Sequence, residues 1–329
     1  MTPPEEARPL ATAGRTSLTK KLGSALRVLF LVAVVAFASL FVARRWGELR
    51  QALADVAWPL VVGSALSGAF ALFLSLVAWR GLLAEVGPRL PLRVASRVFF
   101  VGQLGKYLPG SVWSVLAQAE LARAHRVPRS LTFMVSALFL ILSVGVGTLF
   151  AIVLLPFASP EAIRRYWWVV LAIPLYLVAL HPRIIGWGMR LLTRILRRGE
   201  FGQPPSYSGL LRATAWQVLV WAFYGLHAWL LVLAFGGHGM RALYGAAGGF
   251  ALAFCLGVLF VPVPAGAGVR DVALGVALGP LLAAPQALAV TLVSRIVLVF
   301  LDFAFAGAQW FVGGKRVQLA DDTTVTPIT

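Results

Sequence analysis

Charged residues interrupt the apolar runs of this sequence, and their chemistry would be that of ion pairs and anion binding. Arg295 and Asp302 lie seven residues apart in the last apolar run, so a helix would place them on one face, about two turns apart. An unpaired charge at the bilayer centre costs about 2.5–3.5 kcal/mol, and both side chains are therefore predicted to face the protein interior. Asp271 is the predicted partner of Arg295. Lys106 or Arg270 is predicted to pair with Asp302.

The charged set has two interpretations. One is a purely structural group of ion pairs that holds helices together; the other is a site that binds a headgroup phosphate or couples to protons. Nearby uncharged polar residues extend the second interpretation, although some of them are also typical helix caps. The substrate-binding candidates are Lys106, Arg270, Arg295, Asp271, Asp302, Glu120, Gln103 and Ser111.

Two glycine- and proline-rich stretches break the apolar pattern, "GQLGKYLPGSVW" at 102–113 and "VPVPAGAGVRD" at 261–271. Lipid offers no partners for free backbone N–H and C=O groups, so a break at membrane depth must face protein or a water-filled cavity. A helix that begins near Ser111 would point its N–H groups and positive dipole end at a phosphate, and Arg270 precedes a second such helix. Ordinary loops between spans are the alternative. The residues predicted to shape the breaks are Gly105, Pro109, Gly110, Pro264, Gly266 and Gly268.

The two breaks are followed by similar patterns, a short helix, a proline and a long apolar run. Pro128 follows Pro109 by 19 residues, and Pro285 follows Pro264 by 21. Paired interruptions at corresponding positions in two halves of a chain are typical of the binding site of a transporter. The sequence therefore contains a weak internal repeat.

Composition indicates the elements that must position these residues. The chain is 60% hydrophobic and 12% charged, against roughly 45–50% and 25% in soluble domains, and apolar runs of membrane-spanning length recur along it. The prediction is an all-α polytopic bundle of about seven to eight spans, with two re-entrant or broken-helix elements near 98–121 and 262–284. Spans are expected near 26–43, 58–79, 131–156, 166–180, 209–235, 243–262 and 286–312.

A single transmembrane domain is predicted over residues 25–312, between a basic cytosolic tail at 1–24 and a polar tail at 313–329. Lysine and arginine alternate between successive loops in a way that favours a cytoplasmic N-terminus in a cell membrane, provided that 98–121 returns to its starting side. Trp58 and Trp79 are expected at the membrane–water interface. His227 is expected to be a packing histidine within its span.

Several classes of function are disfavoured. The net charge of +17 resides in short loops beside membrane spans, which disfavours nucleic acid as the partner. Cys255 is the one cysteine, so no disulfide framework or cysteine cluster for a metal is expected. The sequence has no nucleophile elbow, P-loop, zinc-protease motif or acidic metal loop. We therefore expect no cofactor, no metal and no enzymatic activity.

Three stretches together resemble a known family: "GQLGKYLPGSVWSVLAQAELARAHRVPRS", "VPVPAGAGVRDVALGVALG" and "LVSRIVLVFLDF". They look like the transmembrane region of lysylphosphatidylglycerol synthases, a family that includes stand-alone YbhN-like membrane proteins, and the likeness covers most of residues 20–312. The resemblance implies the flippase-like half of such enzymes, of the aminoacyl-phospholipid type, without the aminoacyltransferase domain. The second break departs from the family pattern Pro-Gly-Gly-x-Gly-x-Arg-Glu, because Ala265 replaces a glycine and Asp271 a glutamate.

The leading hypothesis is movement of a phospholipid or a polyprenyl-phosphate-linked lipid between leaflets, with membrane lipids as the partners. The alternative is a non-catalytic membrane partner or anchor of a cell-envelope glycosyltransferase or lipid synthase encoded separately. A catalytic membrane transferase is a weaker third option, since acidic residues in the apolar body are few and scattered. Assembly into a homo-oligomer is left open by the sequence.

Overall fold

Helices make up the regular structure of the chain wherever the computed structural model describes it, and no strand occurs in those residues. Residues from Glu48 onwards form one compact unit, to which the statements below refer. The predicted all-α fold is confirmed for this part of the chain. The described residues are 46–54, 56–108, 112–158, 171–179, 181, 183–187, 205–260 and 266–313.

The helices follow one another through short connections. Pro59 occupies the first turn of its helix, where the N–H that it lacks would have no partner within the helix. A 3-10 turn, Leu104–Tyr107, continues one helix, and residues 183–187 are also helical. In chain order the α-helices are α1 (Trp46–Ala54), α2 (Trp58–Val86), α3 (Leu92–Gln103), α4 (Trp113–Arg123), α5 (Arg129–Phe157), α6 (Ala172–Ala179), α7 (Tyr207–Ala234), α8 (Gly239–Leu259), α9 (Val269–Leu278) and α10 (Ala284–Gly313).

Five of the described helices, α2, α5, α7, α8 and α10, are long and apolar enough to cross a membrane. The shortest of them, α8, has 21 residues and a length of about 32 Å, which matches a hydrocarbon core of roughly 30 Å. They confirm the spans predicted at 58–79, 131–156, 209–235, 243–262 and 286–312. The span predicted at 26–43 lies outside the described residues, and that at 166–180 is described only from 171 to 179, where α6 lies.

Helices α2 and α7 pack side by side in opposite directions. The N–H of Ala57 donates to the carbonyl of Ala234 at 3.2 Å at one end, and Arg212 pairs with Glu85 at the other. We call the end with Glu85 the basic end, because arginines of α3 and α4 and of the connections beside them also lie there. Arg50 and Arg241 are the described arginines near the opposite end. The described arginines of the basic end include Arg80, Arg89, Arg93, Arg123, Arg126, Arg129 and Arg212.

Buried polar side chains fasten the spans to one another. The imidazole of His227 on α7 is within hydrogen-bonding distance of the Ser64 hydroxyl on α2, at 2.7 Å, and of the Ser294 hydroxyl on α10, at 2.9 Å. The ring is fully buried, so these contacts replace the water that it has lost. The prediction of a packing histidine is confirmed.

Trp79 does not lie at the membrane–water interface, and that prediction was wrong. Its ring is fully buried, and its indole N–H donates to the Ser136 hydroxyl of α5 at 3.0 Å. The helix continues for seven more residues, to Val86, so this tryptophan faces a neighbouring helix well inside the span. Trp58, at the other end of α2, is 59% exposed.

Two short helical elements enter the bundle from opposite ends. The first consists of α3, the 3-10 turn and α4, and it begins at the basic end, where the Ser96 hydroxyl donates to the Gln309 side chain of α10 at 2.7 Å. The second is α9, which runs back along α8 in the opposite direction, with Gly266 beside Gly257 and Ala277 beside Gly249. Helices of 10 to 12 residues are about 15–18 Å long, which is too short to cross a bilayer.

Candidate functional site

Helix α10 makes one ion pair with each short element. The Nζ of Lys106 lies 2.6 Å from the Asp302 carboxylate, and a guanidinium nitrogen of Arg295 lies 3.2 Å from the Asp271 carboxylate. Asp302 is only 6% exposed. The predicted pairing of Arg295 with Asp271 is confirmed. Of the two partners predicted for Asp302, Lys106 and Arg270, the structure shows an ion pair with Lys106. The charges of α10 are therefore balanced by residues from both breaks.

The turn Leu104–Tyr107 forms the tip of the first short element, and we call it the first tip. The hydroxyl of Tyr107 donates to the same oxygen of Asp302 that Lys106 contacts, at 2.6 Å, and its ring stacks on Phe303 with 5.5 Å between the centroids. Partial burial and the neighbouring Asp302 carboxylate raise the pKa of Tyr107. The phenol therefore stays protonated and remains a donor.

Gly105 allows the two halves of the first element to approach closely. A Cβ atom added there would lie 2.6 Å from the backbone nitrogen of Ser114 and 2.7 Å from the carbonyl group of Trp113, both on the next helical segment. No residue with a side chain fits this crossing without moving backbone. Pro109, Gly110 and Ser111, which were predicted to shape the break and bind a ligand, lie outside the described residues.

Replacing Gly105 with alanine is expected to lower the stability of the folded chain by about 1–3 kcal/mol, because the added methyl group must push the two segments apart. Thermal unfolding in detergent measures this, with a maleimide dye that reacts with the buried thiol of Cys255 as it becomes accessible. Gly81→Ala is the matched control, since that glycine lies within α2 with no atom near the added Cβ. The control should unfold at the same or a higher temperature; equal losses in both variants would contradict the close approach.

The second tip, residues 266–271, is held by its own backbone geometry. Gly266 has a φ of +64°, and a Cβ atom there would lie 2.6 Å from the Cα of Gly257 on α8. The Asp271 carboxylate accepts a hydrogen bond from the N–H of Gly268 at 3.0 Å, as in a helix cap, and pairs with Arg295 at the same time. Pro264 lies outside the described residues.

Arg270 differs from the other cations, because among the described residues no carboxylate pairs with it. Its guanidinium carbon lies 4.8 Å from the ring centre of Phe250 and 5.6 Å from that of Phe254, both on α8. Burial lowers the pKa of Arg270, and the nearby charge of Arg295 acts in the same direction. The aromatic faces attract the cation weakly compared with a carboxylate. The second tip therefore presents a positive charge without a counter-ion.

A central cavity lies between the two tips. Its volume is about 170 Å³, more than ten times the roughly 10–15 Å³ that one water molecule needs. Side chains of five spans and of both short elements form its walls. The predicted site residues Gln103, Lys106, Arg270, Arg295 and Asp302 are among its lining residues.

A family model decides the relationship of the chain to known proteins. The model described as Lysylphosphatidylglycerol synthase TM region matches residues 24–306, which include both short elements, the cavity and both charged residues of α10. The chain belongs to this family. No curated protein matches it.

The departure from the pattern of the lysylphosphatidylglycerol synthase TM family at the second break leaves the ion pair intact. Asp271 stands where glutamate is common, and its shorter side chain still reaches Arg295 at 3.2 Å. The same carboxylate caps α9 by accepting a hydrogen bond from the N–H of Gly268.

Glu120 lies apart from the other predicted site residues of this family member. It is 59% exposed, pairs with Arg129 and lies 3.4 Å from Arg123, and it is not among the residues that line the cavity. Gln118, on the same helix, is 3% exposed and does line it. Glu120 thus belongs to the basic end of the protein.

Several lining residues were not among the site candidates. Tyr107 follows Lys106 directly, and its position inside the first break was the available signal. Serines of long apolar helices, and aromatic residues of α8, gave no signal, because such residues are common in membrane spans. In the described part of the chain no three His, Cys, Asp or Glu side chains come together as metal ligands do. The residues missed are Tyr107, Ser75, Ser136, Ser143, Phe250 and Phe254.

Proposed function

We propose that this protein moves a phospholipid or a polyprenyl-phosphate-linked lipid from one leaflet of the membrane to the other, and that it makes or breaks no covalent bond. The phosphate headgroup would cross through the central cavity while the acyl or prenyl chains stay in the bilayer. The membrane fold and the family agree with a role in lipid metabolism or transport.

The observation that carries this proposal is the position of Arg270. It lines the cavity and has no carboxylate partner among the described residues. A guanidinium group binds a phosphate with two parallel hydrogen bonds, and such contacts are stronger inside a protein than in water. An anionic headgroup would therefore supply the counter-charge that Arg270 lacks.

Lys106 and Arg295 extend the phosphate site along the cavity. Each lines the cavity and is already neutralised by one carboxylate, Lys106 by Asp302 and Arg295 by Asp271, so neither cation needs the lipid as its counter-ion. A phosphate near either cation would share it with the carboxylate. The headgroup thus meets several cations that share its binding, in place of one site that binds it tightly. This permits both entry and release.

We also propose that both short elements are re-entrant within the membrane. Residues of both tips line the central cavity inside a bundle of spans, and free backbone groups at such a break must face protein or water because lipid offers them no partners. Short elements that enter from opposite sides and expose helix ends at a central site are typical of secondary transporters. This arrangement leaves a path along which a headgroup passes from one tip to the other.

We propose that the protein lies in the plasma membrane, with its basic end in the cytoplasm. Seven arginines at that end have been named above, against Arg50 and Arg241 near the other. Cytoplasmic loops carry an excess of lysine and arginine. With α2 running towards the cytoplasm, a span at 26–43 would put the N-terminus there too.

Reconstitution tests the proposed function directly. The purified chain is placed in liposomes with trace phosphatidylglycerol or polyprenyl phosphate, each with a fluorescent chain, and a membrane-impermeant quencher is then added. Transport predicts loss of fluorescence from both leaflets, whereas empty liposomes should lose only the outer fraction. Movement no faster than in empty liposomes for both lipids would overturn the proposal and favour a membrane anchor for a separate enzyme.

A further inference from the structure

The charges of the central cavity leave an excess of one positive charge among the described residues. Lys106 with Asp302, and Arg295 with Asp271, are two neutral pairs, and Arg270 remains. The tip segments that the structure does not describe, 109–111 and 261–265, contain no charged residue in the sequence. A phosphate diester carries one negative charge at neutral pH. One phosphate diester therefore balances the cavity, provided that the rest of the headgroup is neutral.

Three other lining residues of the cavity, Gln118, Ser136 and Ser143, which we call the polar wall, offer uncharged hydrogen-bonding groups. Gln118 of α4 is 3% exposed, lines the cavity, and has no hydrogen-bond partner for its amide among the described residues. The hydroxyl of Ser143 on α5 is 8% exposed with no described partner, and that of Ser136 accepts from Trp79 and keeps its own proton free to donate. These side chains line the cavity with donors and acceptors that a ligand in the cavity can use.

Amides and hydroxyls suit a headgroup that bears hydroxyl groups. A glutamine amide both donates and accepts, and so does a serine hydroxyl, which matches the donor and acceptor of each ligand hydroxyl. The described carboxylate that lines the cavity, Asp302, is already paired with Lys106, so a cationic group placed against the polar wall would find hydrogen bonds but no unpaired counter-ion.

We propose that the cavity selects a phosphate diester lipid whose headgroup is uncharged and hydroxylated, such as a glycerol or sugar headgroup, and that it discriminates against an aminoacylated, cationic headgroup. This inference rests on the proposed function and names its substrate class. Gln118 and Ser143 contact the hydroxyl groups, and Arg270 contacts the phosphate. An added lysyl group brings ammonium charge into a cavity that is already positive, and its desolvation is not compensated.

Binding to the full-length protein in detergent separates the substrate class from transport. Short-chain fluorescent phosphatidylglycerol is displaced by unlabelled short-chain phosphatidylglycerol, by its lysyl ester, or by inorganic phosphate. We expect the lysyl ester to compete about tenfold more weakly than phosphatidylglycerol, because of like-charge repulsion. Inorganic phosphate should also compete weakly, since it offers no hydroxylated headgroup. Equal or stronger competition by either would overturn the proposal.

Changing Gln118 tests the wall itself. Gln118→Glu adds the carboxylate that a cationic headgroup lacks, so the preference should reverse towards the lysyl ester. Gln118→Leu should weaken phosphatidylglycerol binding about fivefold without favouring the lysyl ester, because one amide is lost and no charge is added. Gln51→Glu, on an exposed position of α1, is the matched control and should change neither affinity. An unchanged preference in Gln118→Glu together with unchanged affinity in Gln118→Leu would overturn the role of this wall.

Transport of the same two lipids in liposomes distinguishes the two proposals. Faster movement of phosphatidylglycerol than of its lysyl ester supports both. Movement of the lysyl ester at an equal or higher rate overturns the substrate class and leaves the transport function standing. If neither lipid moves but the binding preference holds, the transport function fails and the substrate class is supported.

Discussion

Replacing Arg270 with methionine is expected to slow lipid movement in reconstituted liposomes about 10- to 100-fold. Arg270 supplies the unpaired positive charge among the described lining residues, and a hydrogen bond to a charged group contributes about 1.5–3 kcal/mol, where each 1.36 kcal/mol is a factor of ten in rate. The substitution orphans no described carboxylate, and methionine also packs well against Phe250 and Phe254. The folded state should therefore survive, and the initial rate of quencher-accessible fluorescence is the measurement.

Two further variants calibrate that result. Arg270→Lys keeps the charge but loses the planar fork and its stacking on the rings, so an intermediate rate is expected. Arg241→Met removes an exposed arginine from the start of α8 and should leave the rate as in the unmodified protein. A rate in Arg270→Met that equals the rate in Arg241→Met would mean that no anion is recognised at this position.

Replacing Asp302 with asparagine is expected to destabilise the folded protein by about 2–4 kcal/mol. Removing one partner of a buried ion pair costs about 3–5 kcal/mol, and the partner here, Lys106, is 34% exposed and so keeps part of its hydration. The asparagine side chain can still accept from Tyr107, so the loss reports the charge of the pair. The measurement is thermal unfolding followed with the dye that labels Cys255.

A second substitution shows whether the ion pair causes the loss. Adding Lys106→Met to Asp302→Asn removes the orphaned cation, and most of the lost stability should return. Glu120→Gln is the matched control, because it also turns a carboxylate into an amide but breaks an exposed pair worth about 0–1 kcal/mol. A double variant as unstable as Asp302→Asn alone would assign the loss to something other than the uncompensated charge.

The membrane-spanning helices could be predicted because a run of about 20 apolar residues has few other stable arrangements. Their ends were predicted less well, since charged residues near an end look like the start of a loop. Helix α2 was expected to stop at residue 79, yet it continues to Val86. Arg80 and Glu85 are tolerated in it because they bond to the carbonyl of Leu90 and to Arg212.

The ion pairs of the site could be predicted from cost alone, since charges inside apolar runs must find one another. The placement of Glu120 shows where such reasoning stops. Glu120 and Gln118 are two positions apart on a helix, about 200° around its axis, and so cannot both face one cavity. Composition does not say which of the two faces inward; the packing of α4 against Gly102 and α5 decides it in favour of Gln118.

The spacing of the two charged residues of α10 has a mechanical consequence. Arg295 and Asp302 are about 10.5 Å apart on one rigid helix, and each is bound to a tip that enters from a different side of the bundle. A helix neither stretches nor shortens by ångströms at low cost, so a displacement of α10 along its axis moves both contacts at once and in the same direction. The two tips that border the cavity would then share one moving part, and the proposed transport would need no separate signal between them.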